Sequence, residues 1–526
     1  MTDRDREVEP LDDSQEFDDP SPIEDEVPRG HRPAPEELAV EAGAEPTGDI
    51  ASDVALTDRE AAANDRAESK RMERRDVARW SARAAAGLVA AALGVGAVLG
   101  ANAMPQDTRI QSAAPATTVQ PASPLQSRVC AGPALRVGSS DGDNALAVAG
   151  IGDPSVAIGS LGGDVEQTTL SVAGPEEVDG GDSVVQRNEA TTLSAAQSLG
   201  LELDGVRGFA ASECAETSLD QWLVGGSTRT GRQTVLTVAN AAEVGASVDV
   251  TVYGPDGPIE SVGSTGIAVA PGTQAVLDLA AIAPGVADAV VHVASTGAPV
   301  VAHLQQTTTR GLERGGFDVI DPAAALTSAV LPGVEVSAAT GLETQDGYDD
   351  IVPVLRLLSP DGGDVRLVFQ TADDESIESQ GTLEAGIVTD FPLEELPVGV
   401  MAIRVESDAP VVAGARALAT SGEGLDFDWI AGGQARSGSA AIAVPAGPGA
   451  TLHIVSTAGA DQEITVDGEA VPLAAGGALA RPVGEGTVEV TGEDLVMSVS
   501  YRSDREIGSF TASPQGPAAQ GVQVLH

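Results

Sequence analysis

Aromatic side chains are scarce in this chain: phenylalanine, tryptophan and tyrosine together make up 2% of its 526 residues. The core must therefore be built from Val, Leu, Ile and Ala, which favours thin, strand-rich layers. Lysine is almost absent as well, since Lys70 is the only one in the sequence. The net charge of −50 argues against nucleic acid as a partner, because a phosphate-binding surface needs clustered Lys and Arg.

The sequence also lacks the short motifs of common catalytic sites, including G-x-S-x-G, H-E-x-x-H and the phosphate-binding loop. Three of its five histidines lie inside strand-like runs: His292, His303 and His453. Acidic clusters at 141–144, 346–350 and 373–375 offer oxygen ligands for Ca²⁺, but none matches an EF-hand loop, and solvated turns explain them. We predict no catalytic residue, no metal site and no cofactor.

The first part of the chain has the pattern of a membrane anchor. Residues 1–56 are acidic and proline-rich, which predicts a disordered cytoplasmic tail. A capping-box pattern begins at Thr57 and predicts a juxtamembrane helix over 57–83. Residues 84–104 carry no charge and are long enough to span a bilayer as a transmembrane helix.

The charges beside this apolar segment indicate its orientation. Lysine and arginine are frequent over 70–83, before the segment, and nearly absent just after it. The positive-inside rule then places the N-terminus in the cytoplasm and the bulk of the chain outside the cell membrane. Ala101 and Ala103 also form an A-x-A pattern, so cleavage by a signal peptidase is an alternative to an uncleaved anchor.

Beyond the predicted membrane segment, residues 105–129 have the Pro-, Ser-, Thr- and Ala-rich composition of a linker. The two cysteines, Cys130 and Cys214, both follow it, in a compartment where disulfides persist. Two isolated cysteines do not provide the four ligands of a structural zinc site. We therefore predict a disulfide between them.

The remaining sequence consists of short alternating or apolar runs separated by Gly, Pro, Asp and Asn turns. Val248, Val250 and Val252 show the alternation of a half-buried strand, and the PDG sequence at 255–257 predicts a turn. The pattern VHVASTGAPVVAH near Val291 recurs as IRVESDAPVVAG near Ile403, with a weaker copy from Val488. The outer part is therefore predicted to be mostly β and built of repeats.

The spacing of these patterns gives the repeat boundaries. We predict β units at 130–217, 218–311, 318–420 and 426–505, followed by a C-terminal tail at 506–526. Units of this size suit tandem antiparallel β-sandwiches. The alternative is a single β-propeller, in which each unit splits into two blades.

Two of the three tryptophans stand in the same frame, DQWLVGGSTRTG at 220–231 and FDWIAGGQARSG at 427–438. Each frame places a tryptophan before two glycines and an arginine: Trp222 with Arg229, and Trp429 with Arg436. An exposed tryptophan could stack on a sugar, with the arginine as a hydrogen-bond donor. The alternative, favoured by the apolar neighbours, is a tryptophan that fills the end of an aromatic-poor core.

The sequence combines an acidic tail, one membrane segment, CAGP at 130–133, and repeats containing YGPDG, VAPGTQ and APVVA. In these features the chain resembles an actinobacterial family of unknown function, DUF5719. The resemblance covers most of the chain after about residue 128, and it implies no activity and no catalytic residues.

These features favour a non-enzymatic protein that binds or scaffolds another component of the cell envelope, with a glycan or a protein as its partner. A membrane-tethered hydrolase acting on cell-wall glycan or peptide is the alternative.

Overall fold

The structure is a computed structural model that describes residues 116–119, 126–137, 148–161, 164–172, 183–188, 192–203, 206–311, 313–373, 375–421, 424–513 and 522–525. Strands make up 65% of it, and the helix found among these residues is short. The prediction of a mostly β chain is confirmed. The predicted tail and helices over 1–104 lie outside the described residues. Within those residues, no helix is long and apolar enough to cross a membrane.

The described strands fall into four successive repeats, preceded by β1 (Ala116–Val119). Repeat 1 contains β2 (Gln126–Val129), β3 (Ala134–Val137), β4 (Val148–Ile151), β5 (Ser155–Ser160), β6 (Glu166–Val172), β7 (Ser183–Asn188), β8 (Leu193–Leu203) and β9 (Val206–Glu213), and β10 (Ala215–Glu216) follows it. Repeat 2 contains β11 (Asp220–Val224), β12 (Arg232–Asn240), β13 (Ala246–Gly254), β14 (Gly257–Ile259), β15 (Ile267–Val269), β16 (Thr273–Asp278), α1 (Leu279–Ile282), β17 (Val290–Thr296), β18 (Val301–Arg310) and β19 (Glu313–Ile320).

The second half of the chain continues the series. Repeat 3 contains β20 (Leu326–Val336), β21 (Val354–Leu358), β22 (Gly363–Thr371), β23 (Ser376–Leu383), β24 (Thr389–Pro392), β25 (Gly399–Ser421) and β26 (Gly424–Ala431). Repeat 4 contains β27 (Arg436–Val444), β28 (Thr451–Ser456), β29 (Gln462–Val466), β30 (Glu469–Leu473), β31 (Ala478–Pro482), β32 (Gly486–Arg502) and β33 (Ile507–Thr511). The final strand, β34 (Val522–Leu525), pairs antiparallel with β1.

Repeats 2, 3 and 4 share one sheet topology. In repeat 3 the sheet orders are β20-β25-β22-β23 and β26-β25-β21-β24, so the long strand β25 belongs to both sheets. Repeat 4 uses β32 in the same way, and repeat 2 divides the shared strand into β17 and β18. The described residues of repeat 1 form β2-β7-β6 and β9-β8-β5, and they include no counterpart of the two outer strands. The sheets are curled into half-barrels.

The last strand of each repeat, which we call its closing strand, is β9, β19, β26 or β33. These strands contact one another in cyclic order: β9 with β19, β19 with β26, β26 with β33, and β33 with β9. Three of them also place a side chain in a neighbouring core. Phe317 packs in the core of repeat 1, Phe427 in that of repeat 2 and Phe209 in that of repeat 4. The four repeats therefore close into a ring.

A single carboxylate joins the closing strands at the centre of this ring. Asp426, 2% exposed, accepts the backbone N–H groups of Phe209 at 3.0 Å, Phe317 at 3.2 Å and Ile507 at 3.2 Å. The closing strands pair with a neighbour on one edge only, so their other N–H groups need acceptors in the buried centre. A Cβ on Gly208 would lie 2.5 Å from Asp426 Oδ1, so this position must be glycine.

The predicted disulfide is confirmed. Cys130 and Cys214 are bonded, their Cα atoms are 3.9 Å apart, and both are fully buried. Cys130 follows β2 and Cys214 follows β9, so the bond joins the two ends of repeat 1.

The structure divides the repeats differently from the predicted boundaries. The predicted units 318–420 and 426–505 separate β25 from β26, which pair with each other as a hairpin. The predicted linker 105–129 contains β1 and β2, and the predicted tail 506–526 contains β33 and β34. The difference arises because each repeat ends with a closing strand that pairs with the strand before it.

Candidate functional site

A cavity of about 460 Å³ lies between repeats 3 and 4. Its walls are mainly apolar and include Val334, Met401, Ile430, Val455, Leu479 and Ile507. A few polar side chains converge on the same space: Glu335, Gln370, Asp428, His453, Ser500 and Arg502. Apolar walls with a small number of placed polar groups are typical of a ligand-binding pocket.

A bulge in β20 shapes one wall of the cavity. The pairing of β20 with β25 shifts register between Leu331 and Val334. Gly333, inside this bulge, has a φ of +79°, and a Cβ on it would lie 2.6 Å from the ring of His453. The close approach lets the imidazole of β28 lie directly against the β20 backbone, where its Nε2 is 2.8 Å from Ser500 Oγ.

An ion pair crosses the boundary between the two repeats. Arg502 of β32 lies 3.0 Å from Glu335 of β20, and it also donates a hydrogen bond to the Leu418 carbonyl at 3.1 Å. Burial raises the pKa of Glu335, and the charge of Arg502 acts against that rise. Arg502 therefore binds two strands of repeat 3, β20 and β25, and holds Glu335 at the cavity wall.

At the inner end of the cavity, Asp428 lies on the closing strand β26. Its Oδ1 accepts the Ser509 N–H at 2.8 Å and its Oδ2 accepts the Ser509 hydroxyl at 2.5 Å. Burial raises the pKa of Asp428 to about 6, and the hydrogen bonds from Ser509 act against the rise. This carboxyl group can therefore change its charge near neutral pH while it faces the cavity.

Asp428 belongs to a column of buried acids along the closing strands. Asp318 accepts the Trp429 N–H at 2.8 Å, and Asp321 accepts the Glu213 N–H at 2.8 Å. Burial raises the pKa values of all three of these acids, Asp318, Asp321 and Glu213. The column thus supplies acceptors for the unpaired strand edges, as Asp426 does, and its main role is structural.

Replacing Asp428 with asparagine is expected to change how stability depends on pH. The folded pKa of about 6 lies above the usual value of 3.8, so the contribution of Asp428 is greatest below pH 4 and is lost as the pH rises through 6. The asparagine side chain does not titrate, so the stability of the variant relative to the wild type should rise by about 2 kcal/mol from pH 4 to pH 7. Denaturant unfolding, followed by the fluorescence of the buried tryptophans, measures this difference.

The pH dependence of the wild type alone does not isolate Asp428, because two buried histidines change the stability in the opposite direction as the pH rises. Burial lowers the pKa values of His303 and His453 to about 4, so their contribution is lost as the pH falls from 6.5. A stability difference between the Asp428→Asn variant and the wild type that is the same at pH 4 and pH 7 would contradict the raised pKa of Asp428.

The two tryptophan frames occupy different places in the fold. Trp222 lies on β11, the first strand of repeat 2, and Trp429 on β26, the closing strand of repeat 3. Both are buried, at 5% and 3% exposure. Trp222 stacks on His292 with ring centroids 4.1 Å apart, and the Trp429 ring contacts the guanidinium groups of both Arg356 and Arg416. Neither indole offers a free face to a sugar.

The two arginines of the frames also differ in environment. Arg229 is half exposed and forms an ion pair with Asp349, which raises its pKa. Arg436 begins β27, and burial lowers its pKa to about 10 while Glu213 acts against that change. The structure therefore does not bring the four residues of the two frames together as one site.

The acidic cluster at 346–350 has arginine partners in the structure. Asp350 pairs with Arg232 at 2.8 Å and Arg310 at 2.7 Å, and the pairing lowers its pKa. This cluster therefore fastens a loop of repeat 3 onto repeat 2. Among the residues that the structure describes, no group of His, Cys, Asp or Glu is arranged to hold a metal ion.

Sequence reasoning missed Asp426, Asp428 and the cavity. A signal for the central strands was present, because Gly208-Phe209 and Gly316-Phe317 recur as Asp426-Phe427. No local pattern marks the cavity, since its wall residues are distributed along the chain from Gly333 to Ile507.

Comparison with known sequences gives a family but no activity. A search of curated proteins finds no match. One family, described as a family of unknown function (DUF5719), matches residues 172–490, from the end of β6 to the first part of β32. Because this match covers more than half of the sequence, the chain belongs to the DUF5719 family.

Proposed function

We propose that this chain is a membrane-anchored, extracytoplasmic binding protein of the cell envelope, and that its ligand occupies the cavity between repeats 3 and 4. The observation that carries the proposal is the cavity itself: about 460 Å³, apolar walls, and Asp428, Glu335 and Arg502 converging on it. A ligand with an apolar body and a hydrogen-bond donor or positive charge fits these groups.

The proposed location is supported by the sequence and by the disulfide. The uncharged segment 84–104 follows a basic flank, which is the pattern of a single membrane anchor with a cytoplasmic N-terminus. The Cys130–Cys214 disulfide is typical of proteins outside the reducing cytosol. The acidic tail at 1–56 is then available for a cytoplasmic contact.

We propose further that the repeats are tandem sandwich-like units and not the blades of a single propeller. Two observations support this: β25 and β32 each run through both sheets of their repeat, and each of these two repeats has an apolar cluster between its sheets. Sheets that share a strand are not separate blades. This arrangement places a continuous wall on each side of the cavity.

Filling the cavity should abolish ligand binding. Ala480 of β31 pairs with His453 and lines the cavity, so Ala480→Trp would place an indole in this space. The exposed Ala470 of β30, on the other sheet of the same repeat, provides the matched control Ala470→Trp. The full chain, purified in detergent from its own membranes, would be examined by native mass spectrometry for bound mass.

The proposal predicts a bound mass on the wild type and on Ala470→Trp, and none on Ala480→Trp. Equal bound mass on all three proteins, or none on any of them, would contradict the cavity as the binding site.

One observation favours the hydrolase alternative, the distance of 2.8 Å between His453 Nε2 and Ser500 Oγ in the cavity wall. A general base works best when its pKa lies near the operating pH. Burial lowers the pKa of His453 to about 4, which makes it a weak base for a serine hydroxyl. We therefore retain binding as the proposed function.

A further inference from the structure

The cavity lies beside an uncovered strand edge. Strand β31 pairs with β28 on one side, and among the described residues no strand pairs with its other side. Backbone hydrogen bonds join both ends of β31 to the β28 side: Ser456 N–H donates to the Gly477 carbonyl at 2.9 Å, and Val483 N–H donates to the Ala450 carbonyl at 3.0 Å. Hydrogen-bonded and non-hydrogen-bonded pairs alternate along two antiparallel strands. The backbone N–H and C=O groups of Ala478 and Ala480 therefore point away from β28.

In two other repeats the start of the equivalent edge is bonded to the preceding repeat. In repeat 2, β16 pairs with β6 of repeat 1 in parallel, with Thr273 opposite Ser171 and Gln274 opposite Val172. In repeat 3, the residue before β24 donates a backbone hydrogen bond of 3.1 Å to the last residue of β13, in repeat 2. Backbone groups of the preceding repeat thus reach the start of the edge in both cases.

Between repeats 3 and 4, the cavity lies at the position where those two junctions have backbone hydrogen bonds. The corresponding residues, Thr371 at the end of β22 and Ala478 at the start of β31, both line it. Arg404 spans the two repeats here: its guanidinium donates to Gln370 Oε1 at 2.8 Å and to the carbonyl of Gly476. A side chain therefore connects the two repeats at the place where the junctions of repeats 1 with 2 and 2 with 3 use backbone hydrogen bonds.

Apolar surface continues from the cavity to the outside. Val400, 38% exposed, lines the cavity, and the neighbouring Val398 is 67% exposed. On the cavity side of the sheet, Ala478 and Ala480 lie beside Val455 and His453. An uncovered strand edge next to an apolar pocket is the arrangement by which proteins bind extended peptides: the backbone gives affinity, and the pocket accepts alternate side chains.

We infer that the occupant of this site is an extended peptide of a partner protein, which adds to β31 as a parallel strand and inserts an apolar side chain into the cavity. The parallel direction follows from the pairing of β6 with β16, the equivalent strand of repeat 2. Two carboxyl groups, those of Glu335 and Asp428, and one arginine, Arg502, line the cavity, so the peptide is neutral or basic around its apolar residue. This inference rests on the proposed function and names the class of its ligand.

The test uses the full chain in detergent and synthetic peptides of about ten residues in which threonine alternates with leucine, a strand-forming pattern. Two further peptide sets carry N-methyl groups on alternate amides, one set in each register. Because only every second amide of an added strand faces its neighbour, one methylated set should bind at least about tenfold more weakly, and the other should bind like the parent. Amide exchange at Ala478 and Ala480 should slow when the parent peptide binds.

A matched pair of variants tests the strand edge in the protein. Ala480→Pro removes an outward N–H two residues before Pro482, and Ala470→Pro makes the same change two residues before Pro472 on β30. Peptide affinity should fall at least about tenfold in the first variant and stay unchanged in the second.

Strand addition would be overturned if both N-methylated peptide sets lost affinity equally. It would also be overturned if the parent peptide bound both proline variants with equal affinity. If none of the peptides binds while native mass spectrometry shows a small compound that Ala480→Trp excludes, the inference fails and the proposed function stands. If neither peptides nor compounds bind, both fail.

Discussion

Replacing Asp426 with asparagine is expected to lower the free energy of unfolding by about 3 kcal/mol or more. Asp426 accepts hydrogen bonds from backbone N–H groups of the three other closing strands at the ring centre. An asparagine would place its own NH₂ group against these donors, leaving buried N–H groups without acceptors. Denaturant unfolding at neutral pH, followed by tryptophan fluorescence, measures the loss.

The control for this substitution is Asp467→Asn. Asp467 also accepts a backbone N–H, from Glu489 at 2.9 Å, but it is exposed to solvent. Water can replace the lost acceptor there, so a change within about 0.5 kcal/mol is expected. If the two variants lose the same stability, the central carboxylate is not what holds the closing strands together.

Replacing Trp429 with alanine is expected to cost about 3 to 5 kcal/mol, the range for removing a large buried aromatic side chain. Trp429 fills part of the repeat 2 core and lies 4.7 Å from the guanidinium carbon of Arg356 and 5.4 Å from that of Arg416. Both arginines are buried, so loss of the ring removes a favourable contact for two desolvated cations. Denaturant unfolding of the variant checks this loss of stability.

The variant Trp429→Phe tests the contribution of the aromatic ring separately from that of the rest of the indole. Phenylalanine keeps an aromatic ring beside the two arginines, and it removes an indole N–H that has no hydrogen-bond partner among the described residues. We expect this variant to lose much less stability than Trp429→Ala. Equal losses in the two variants would show that the stacking on Arg356 and Arg416 contributes nothing.

Much of the fold could be predicted from the sequence because its signals are local. The alternation of Val248, Val250 and Val252 predicts a strand with one buried face, and these residues are at most 3% exposed in β13. The repeated Pro-Val-Val sequences at 299–301 and 410–412 mark equivalent strands, β18 and β25. The two cysteines predicted their disulfide, because no other cysteine competes for either one.

The ring and the cavity could not be predicted, because they depend on contacts between distant segments. Asp426 is an ordinary acidic residue in the sequence, and its central position exists only when β9, β19, β26 and β33 come together. The tryptophan frames show the same limit. Trp222 and Trp429 stand in similar sequence frames, yet one opens a repeat and the other closes one, because local sequence does not specify which edge of a sheet a strand occupies.

The central claim is that the edge of β31, at the junction of repeats 3 and 4, is left uncovered for a ligand. Amide hydrogen exchange of the free, full-length chain tests this claim most directly, by comparing Gln274 of β16 with Ala478 and Ala480 of β31. We predict protection at Gln274, which pairs with Val172 of β6, and fast exchange at Ala478 and Ala480. Equal protection of the two strands in the free protein would show that the β31 edge is already covered and would contradict the account.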